Sequence, residues 1–169
     1  MDRYKMAKQK WLKTHEDAKN KTIFYLKQNF KLMIRPEYPI LIDNKYRHQY
    51  DIVGFLDDDV ITYYEDETSL PTEIPIRKFL RMSDRELVYS EYKGLLDEHV
   101  RVVIEIDNLT SHTHTEHAIA DNIAKEAAYK TFHKDLRFIR LLKEEVNGKE
   151  NDMLKYMYDN VDTKLENLV

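Results

Sequence analysis

The segment from Val100 to Asp107 constrains this chain more than any other. Val100, Val102, Ile104 and Ile106 alternate with Arg101, Val103, Glu105 and Asp107, and a period of two is that of a β-strand. One side is aliphatic and suits a core. The other carries two carboxylates, set about 7 Å apart along the strand by the pleat. A polar loop through Ser111 and His114 follows, then a helical pattern from about Thr115 to His133 with Ile119, Ile123 and Ala127 on one line, then an aliphatic run from Leu136 to Leu142. Strand, helix, strand predicts a right-handed crossover with both strands parallel in one sheet.

Upstream, strong helix formers run from Arg3 to Met33 with Tyr4, Ala7, Trp11, Ala18, Leu26 and Phe30 as the apolar series. This predicts a long basic amphipathic helix with a candidate break near Thr14. Pro36 and Pro39 end it, and Tyr38 to Asp43 reads as a strand that turns at Asp43, Asn44 and Lys45 into a second. That second strand places Tyr46, His48, Tyr50 and Ile52 on one face, and Arg47, Gln49 and Asp51 on the polar one. From Leu56 to His99 the pattern is weaker: an acidic loop, a short strand from Val60 to Tyr64, then residues 76 to 96, which fit a helix or a hairpin. Asn147 and Gly148 turn the chain into a last helix, Glu150 to Leu168. Its Leu154, Tyr158, Val161, Leu165 and Leu168 form a heptad seam too short for an independent coiled coil. It packs on its own domain or forms a homodimer contact, and both readings stand. The expected organisation is an α/β domain over 1–148, with a mixed central sheet flanked by helices and an insertion at about 57–99, followed by the helix of 149–169.

Composition narrows the chemistry. With 169 residues the chain is about one domain, and 3 Gly leave no glycine-rich phosphate loop of either common pattern. The absence of Cys removes disulfides, thiolate zinc sites and cysteine nucleophiles, so a metal would be held by His, Asp, Glu or carbonyl oxygen. The polar start at Met1 to Lys5 and the lack of a long apolar run suggest a soluble, cytoplasmic protein with no membrane partner. Charge is uneven. Residues 1–35 hold ten Lys or Arg against Asp2, Glu16 and Asp17, while residues 57–73 hold seven acids and no base. A basic face for a polyanion beside an acidic loop, or two solvated surfaces, both account for this.

Taken in order, the elements are helix, hairpin ending in Asp51, strand Val103-Ile104-Glu105-Ile106-Asp107, helix and strand. This order resembles the core of the PD-(D/E)xK nuclease superfamily. Tyr46-Arg47-His48-Gln49-Tyr50-Asp51-Ile52-Val53-Gly54-Phe55 is similar to the hairpin strand of the very-short-patch-repair endonuclease branch, and Glu105-Ile106-Asp107 with Asn108 to His112 to its second half-motif. The likeness covers roughly residues 14–142. It implies a restriction-endonuclease-like core and a Mg²⁺- or Mn²⁺-dependent DNA endonuclease. The site would be Asp51, Glu105 and Asp107; Asp51, Glu105 and the Ile106 carbonyl would hold the cation, and Glu16 on the first helix would hydrogen-bond a water of its shell. Hydrolysis of a phosphodiester suits such a hard cation, which binds through one or two carboxylates plus waters.

The chain departs from that pattern at several places. Asp107 stands where the family has Lys, so the positive group would come from Lys125, or His112 and His114 would take over proton transfer. Tyr50 replaces a Pro, Asn108 replaces a Gly, and the 53 residues between Asp51 and Glu105 make a long gap whose acids would reach the cleft. Lys5, Lys8, Lys10, Lys13, Lys19 and Lys21 are the candidate phosphate contacts. A non-catalytic nucleic-acid-binding protein on the same fold is the main alternative. A third reading takes His112, His114, Glu116 and His117 as similar to the metal motif of metallo-β-lactamase-fold hydrolases, although few residues and a single later His, His133, follow it.

Overall fold

The computed structural model describes residues 3–42, 44–107, 137–142 and 146–147. Its elements are α1 (Arg3–Asn29), β1 (Leu32–Ile42), β2 (Lys45–Leu56), β3 (Val60–Tyr63), β4 (Thr72–Pro75), a 3-10 helix (Ile76–Arg81), α2 (Asp84–Val88), α3 (Lys93–Glu98), β5 (Val102–Asp107) and β6 (Arg137–Leu142). The protein is mixed α/β. A four-stranded sheet runs in the order β1-β2-β5-β6, and β3 and β4 form a separate two-stranded sheet.

β1 and β2 are an antiparallel hairpin that reverses between Ile42 and Lys45, where Asn44 adopts φ 60°. Asn tolerates this left-handed conformation better than most residues. β5 is antiparallel to β2 and parallel to β6, from Val102 opposite Arg137 to Asp107 opposite Leu142. The parallel pair is the one the sequence predicts. The crossover helix and the C-terminal helix expected from the sequence fall on residues outside those described.

Three expectations change. α1 is continuous through Thr14 and stops at Asn29. β1 starts at Leu32 and contains both Pro36 and Pro39, which the sheet tolerates because β1 is its edge and can lack outward amide donors. Residues 76–96 are neither one helix nor a hairpin, but a 3-10 turn followed by two short helices. Ser83 caps α2 by accepting from the Glu86 amide at 3.1 Å.

The sheet separates two cores. Ala18, Tyr25 and Leu26 of α1 pack with Leu32, Ile34, Ile52, Val102, Ile104, Ile106, Ile139 and Leu141. On the other face, Tyr38, Ile40, Tyr50, Val53, Phe55 and Val103 meet Ile61, Ile74, Ile76, Phe79, Leu87 and Leu96 of the inserted region. The insertion therefore covers the face that α1 leaves bare. Arg35 anchors it: Nη1 donates to the carbonyls of Phe79, Leu80 and Met82, the last at 2.8 Å, and Nη2 lies 2.6 Å from Asp84. Gly54 sets the approach of β5, since a Cβ there would come within 2.6 Å of Val102 Cγ1.

Tyr50 and Ile52, expected on one face of β2, belong to opposite cores. β1 shows the same change, with Ile34 in the first core and Tyr38 in the second. Between them Glu37 has φ 53°, and its place in the register is opposite Asp51, between the Pro36–Ile52 and Tyr38–Tyr50 pairs. Both strands thus switch faces at one rung.

Candidate active site

The face switch turns Asp51 toward α1. Its Oδ1 is 3.2 Å from His15 Nε2, an arrangement in which the ring N–H donates to the carboxylate. Its Oδ2 accepts the Ile106 amide at 2.7 Å. In return the Asp51 amide donates to Glu105 Oε1 at 3.0 Å. The β2–β5 ladder has its last rung at Ile52 and Ile104, so beyond it each strand's backbone is met by the other strand's carboxylate. Buried amides need such partners, and a charged acceptor makes the stronger bond. Glu105 is only 3% exposed, whereas the Asp51 side chain is 19% exposed.

α1 supplies the basic side of this arrangement. His15 and Lys19 are one helical turn apart on the inward line that continues through Thr22 and Leu26. Lys19 is 4% exposed and bridges Glu16 at 2.9 Å and Glu37 at 3.0 Å. Burial alone would lower its pKa, but hydrogen bonds and charges from Glu16 and Glu37 outweigh burial and raise it. The Asn147 side-chain amide donates to the Thr14 carbonyl at 2.8 Å, tying the chain after β6 to α1 beside His15.

The structure therefore brings Asp51, Glu105 and the Ile106 backbone together. Glu16 is half-exposed and engaged by Lys19. Among the candidate phosphate contacts, Lys5 and Lys13 are exposed and Lys21 is half-buried, while Lys19 is enclosed and paired within the fold. Lys8 and Lys10 lie in α1, and Asp107 in β5 pairs through its backbone with Leu142; the side chains of these three lie outside what is described. His112, His114, His117 and Lys125 lie outside the described residues altogether. Among the described residues, no group of three or more His, Asp or Glu is placed to share a metal ion. The donors at hand, two carboxylates and a carbonyl, are still the oxygen type that a hard divalent cation takes.

Sequence reasoning missed His15. The signal was a gap in the apolar line, which steps from Trp11 to Ala18 over Thr14 and His15. A polar residue on the buried line of a helix needs a partner, and Asp51 is that partner.

A second polar cluster lies on the opposite face. Tyr38 Oη donates to Asp97, and Lys93 Nζ is 2.6 Å from the same carboxylate and 4.5 Å above the Tyr38 ring. Burial pushes the Tyr38 hydroxyl and the Asp97 carboxyl up and the Lys93 ammonium down. This cluster joins α3 to β1. Acids of the insertion are engaged locally, Asp59 with His99 and Arg101, and Asp66 with Thr68 and Ser69.

No model of a protein family matches the chain, and neither does a curated protein or a solved structure. Among the described residues, no helix is long and apolar enough to cross a membrane.

Proposed function

We propose that this chain is a divalent-cation-dependent DNA endonuclease built on a restriction-endonuclease-like core. One observation carries the reading: Asp51 and Glu105 converge from adjacent strands where the β2–β5 ladder ends, each bonded to the other's strand. The helix, hairpin, strand and parallel strand around them support it.

Asp51, Glu105 and the Ile106 carbonyl would hold Mg²⁺ or Mn²⁺, which when bound polarises the phosphodiester and makes water a better nucleophile at neutral pH. The protein's own groups prepare that site. The Ile106 amide and His15 fix both oxygens of Asp51. Exposed Lys5 and Lys13 on α1 present positive charge to a phosphate backbone.

The same hydrogen bonds favour a second reading, in which the two carboxylates only close the splayed strands and the protein binds nucleic acid without cutting it. Cation binding separates the two. The deciding experiment offers duplex, mismatched, branched and single-stranded DNA in Mg²⁺ or Mn²⁺ to the wild type and to Asp51→Asn. Cleavage by the wild type alone establishes the endonuclease, and no cleavage of any substrate by either refutes it.

A further inference from the structure

The turn end of the β1–β2 hairpin and α2 enclose an open depression of about 740 Å³, lined by residues that include Lys45, Tyr46, Gln49, Asp84, Arg85 and Tyr89. Its volume suits a ligand the size of a nucleotide. Two tyrosines stand in solvent there, Tyr46 at 40% and Tyr89 at 81% exposure. Tyr89 is the most exposed aromatic side chain among the described residues. Lys93 Nζ lies 5.5 Å from the Tyr46 ring centroid. Among the described residues no ring or cation contact engages Tyr89.

The charges favour an anion. Lys45 and Arg85 are both exposed. Among the described residues of the lining the one acid, Asp84, is neutralised by Arg35 at Oδ1 and bonded by the Gln49 amide at Oδ2. Cations beside aromatic rings, with amides at hand, form the surface on which an unpaired nucleotide stacks while its phosphate is held. Position supports the same occupant. Gln49 is two residues from Asp51 on β2, about 7 Å along the strand. A nucleic-acid strand crossing Asp51 and continuing along β2 would meet Gln49, which lines this depression, next, while α2 and Tyr46 approach from the side of the inserted region.

We propose that the depression is a subsite for unpaired nucleotides of the strand that passes Asp51, so that substrates with a single-stranded tail or flap are preferred to blunt duplex. The proposal takes the polymer and its path from the endonuclease reading and adds the substrate class. Its test is fluorescence anisotropy without divalent cation, using one labelled duplex with a blunt end and the same duplex with a short single-stranded tail. Tyr89→Ala, at a solvent-facing position, should weaken binding of the tailed DNA by about 10-fold and leave the blunt duplex unchanged. Arg85→Ala should flatten the salt dependence of tailed binding alone. Equal affinity of Tyr89→Ala and wild type for tailed DNA would overturn the subsite, as would an equal loss on both DNAs. If the wild type cuts nothing yet Tyr89→Ala still loses the tail, the cleavage reading falls and the nucleotide subsite stands.

Discussion

Replacing Asp51 separates a carboxylate that holds strands together from one that holds a cation. In Asp51→Asn a side-chain carbonyl still reaches the Ile106 amide, now bonded at 2.7 Å to Oδ2. What disappears is the charge on the acceptor, a difference of about 1 kcal/mol between charged and neutral hydrogen bonds, together with the oxygen that faces His15 Nε2, where Asn places its –NH2 group. For a domain of this size that lowers Tm by roughly 2–4 °C. Asp51→Ala removes the acceptor and strands the amide next to buried Ile106 and Glu105, at about 1–3 kcal/mol. Thermal melts of the two variants should therefore fall in the order wild type, Asn, Ala. The melts are then repeated with Mg²⁺ or Mn²⁺. A cation at 100 times its dissociation constant adds about 2.7 kcal/mol to the wild type and should add far less to Asp51→Asn. If the cation raises wild type and Asp51→Asn equally, Asp51 closes the sheet and does nothing more, and the site as drawn is wrong.

Other perturbations test the surroundings. His15→Gln should slow cleavage by about 10-fold or more with DNA affinity unchanged, measured as single-turnover rate against anisotropy, because only the orientation of Asp51 changes. Gly54→Ala should cost about 1–3 kcal/mol in urea melts, since its Cβ must displace the buried Val102 side chain. Lys5→Gln and Lys13→Gln should each reduce the slope of log affinity against log salt by about one if they meet phosphates. Asp97 gives a pH signature: burial holds its carboxyl above the ordinary 3.8, against the opposing pull of Lys93 and Tyr38. Between 3.8 and the raised value the native state holds more protons than the unfolded one, so this contribution grows as pH falls toward 3.8 and is lost as pH rises through the folded pKa. Urea melts of wild type minus Asp97→Asn across that range should show that slope.

The sheet was legible in the sequence where the pattern was strict. Val102, Ile104 and Ile106 announced a strand, and the parallel neighbour followed from the handedness of crossovers. Asp51 and Glu105 were singled out by a resemblance, and the structure places them within hydrogen-bond reach of each other. The short strand at Val60 was legible, but residues 76–96 were not, because their apolar residues are spent on a 3-10 turn and two short helices. Elements so short complete too few periods for hydrophobic spacing to identify them. β1 was read short because Pro36 and Pro39 signal a break unless the strand is known to be an edge, and edge status is a tertiary fact. Arg35 was passed over for a related reason: its partners are carbonyls more than forty residues away.

The least legible feature is also the one on which the site depends. Strict alternation along β2 would put Asp51 with Val53 and Phe55, facing the inserted region. It faces His15 because β1 and β2 exchange faces together at the rung where Glu37 takes φ 53°. A left-handed Glu is unfavourable by about 1–2 kcal/mol, so the conformation needs local support, and the ion pair from enclosed Lys19 to Glu37 supplies some of it. The same helical face of α1 thus does two things one turn apart: Lys19 holds the switch in β1, and His15 receives the carboxylate that the switch delivers. Without the switch, Tyr50 would enter the α1 core and Asp51 would sit among Tyr38, Val53 and Phe55, where an ionised carboxylate has no reason to be. The strain at Glu37 and the geometry at Asp51 are therefore one structural decision, made by two strands and read by one helix.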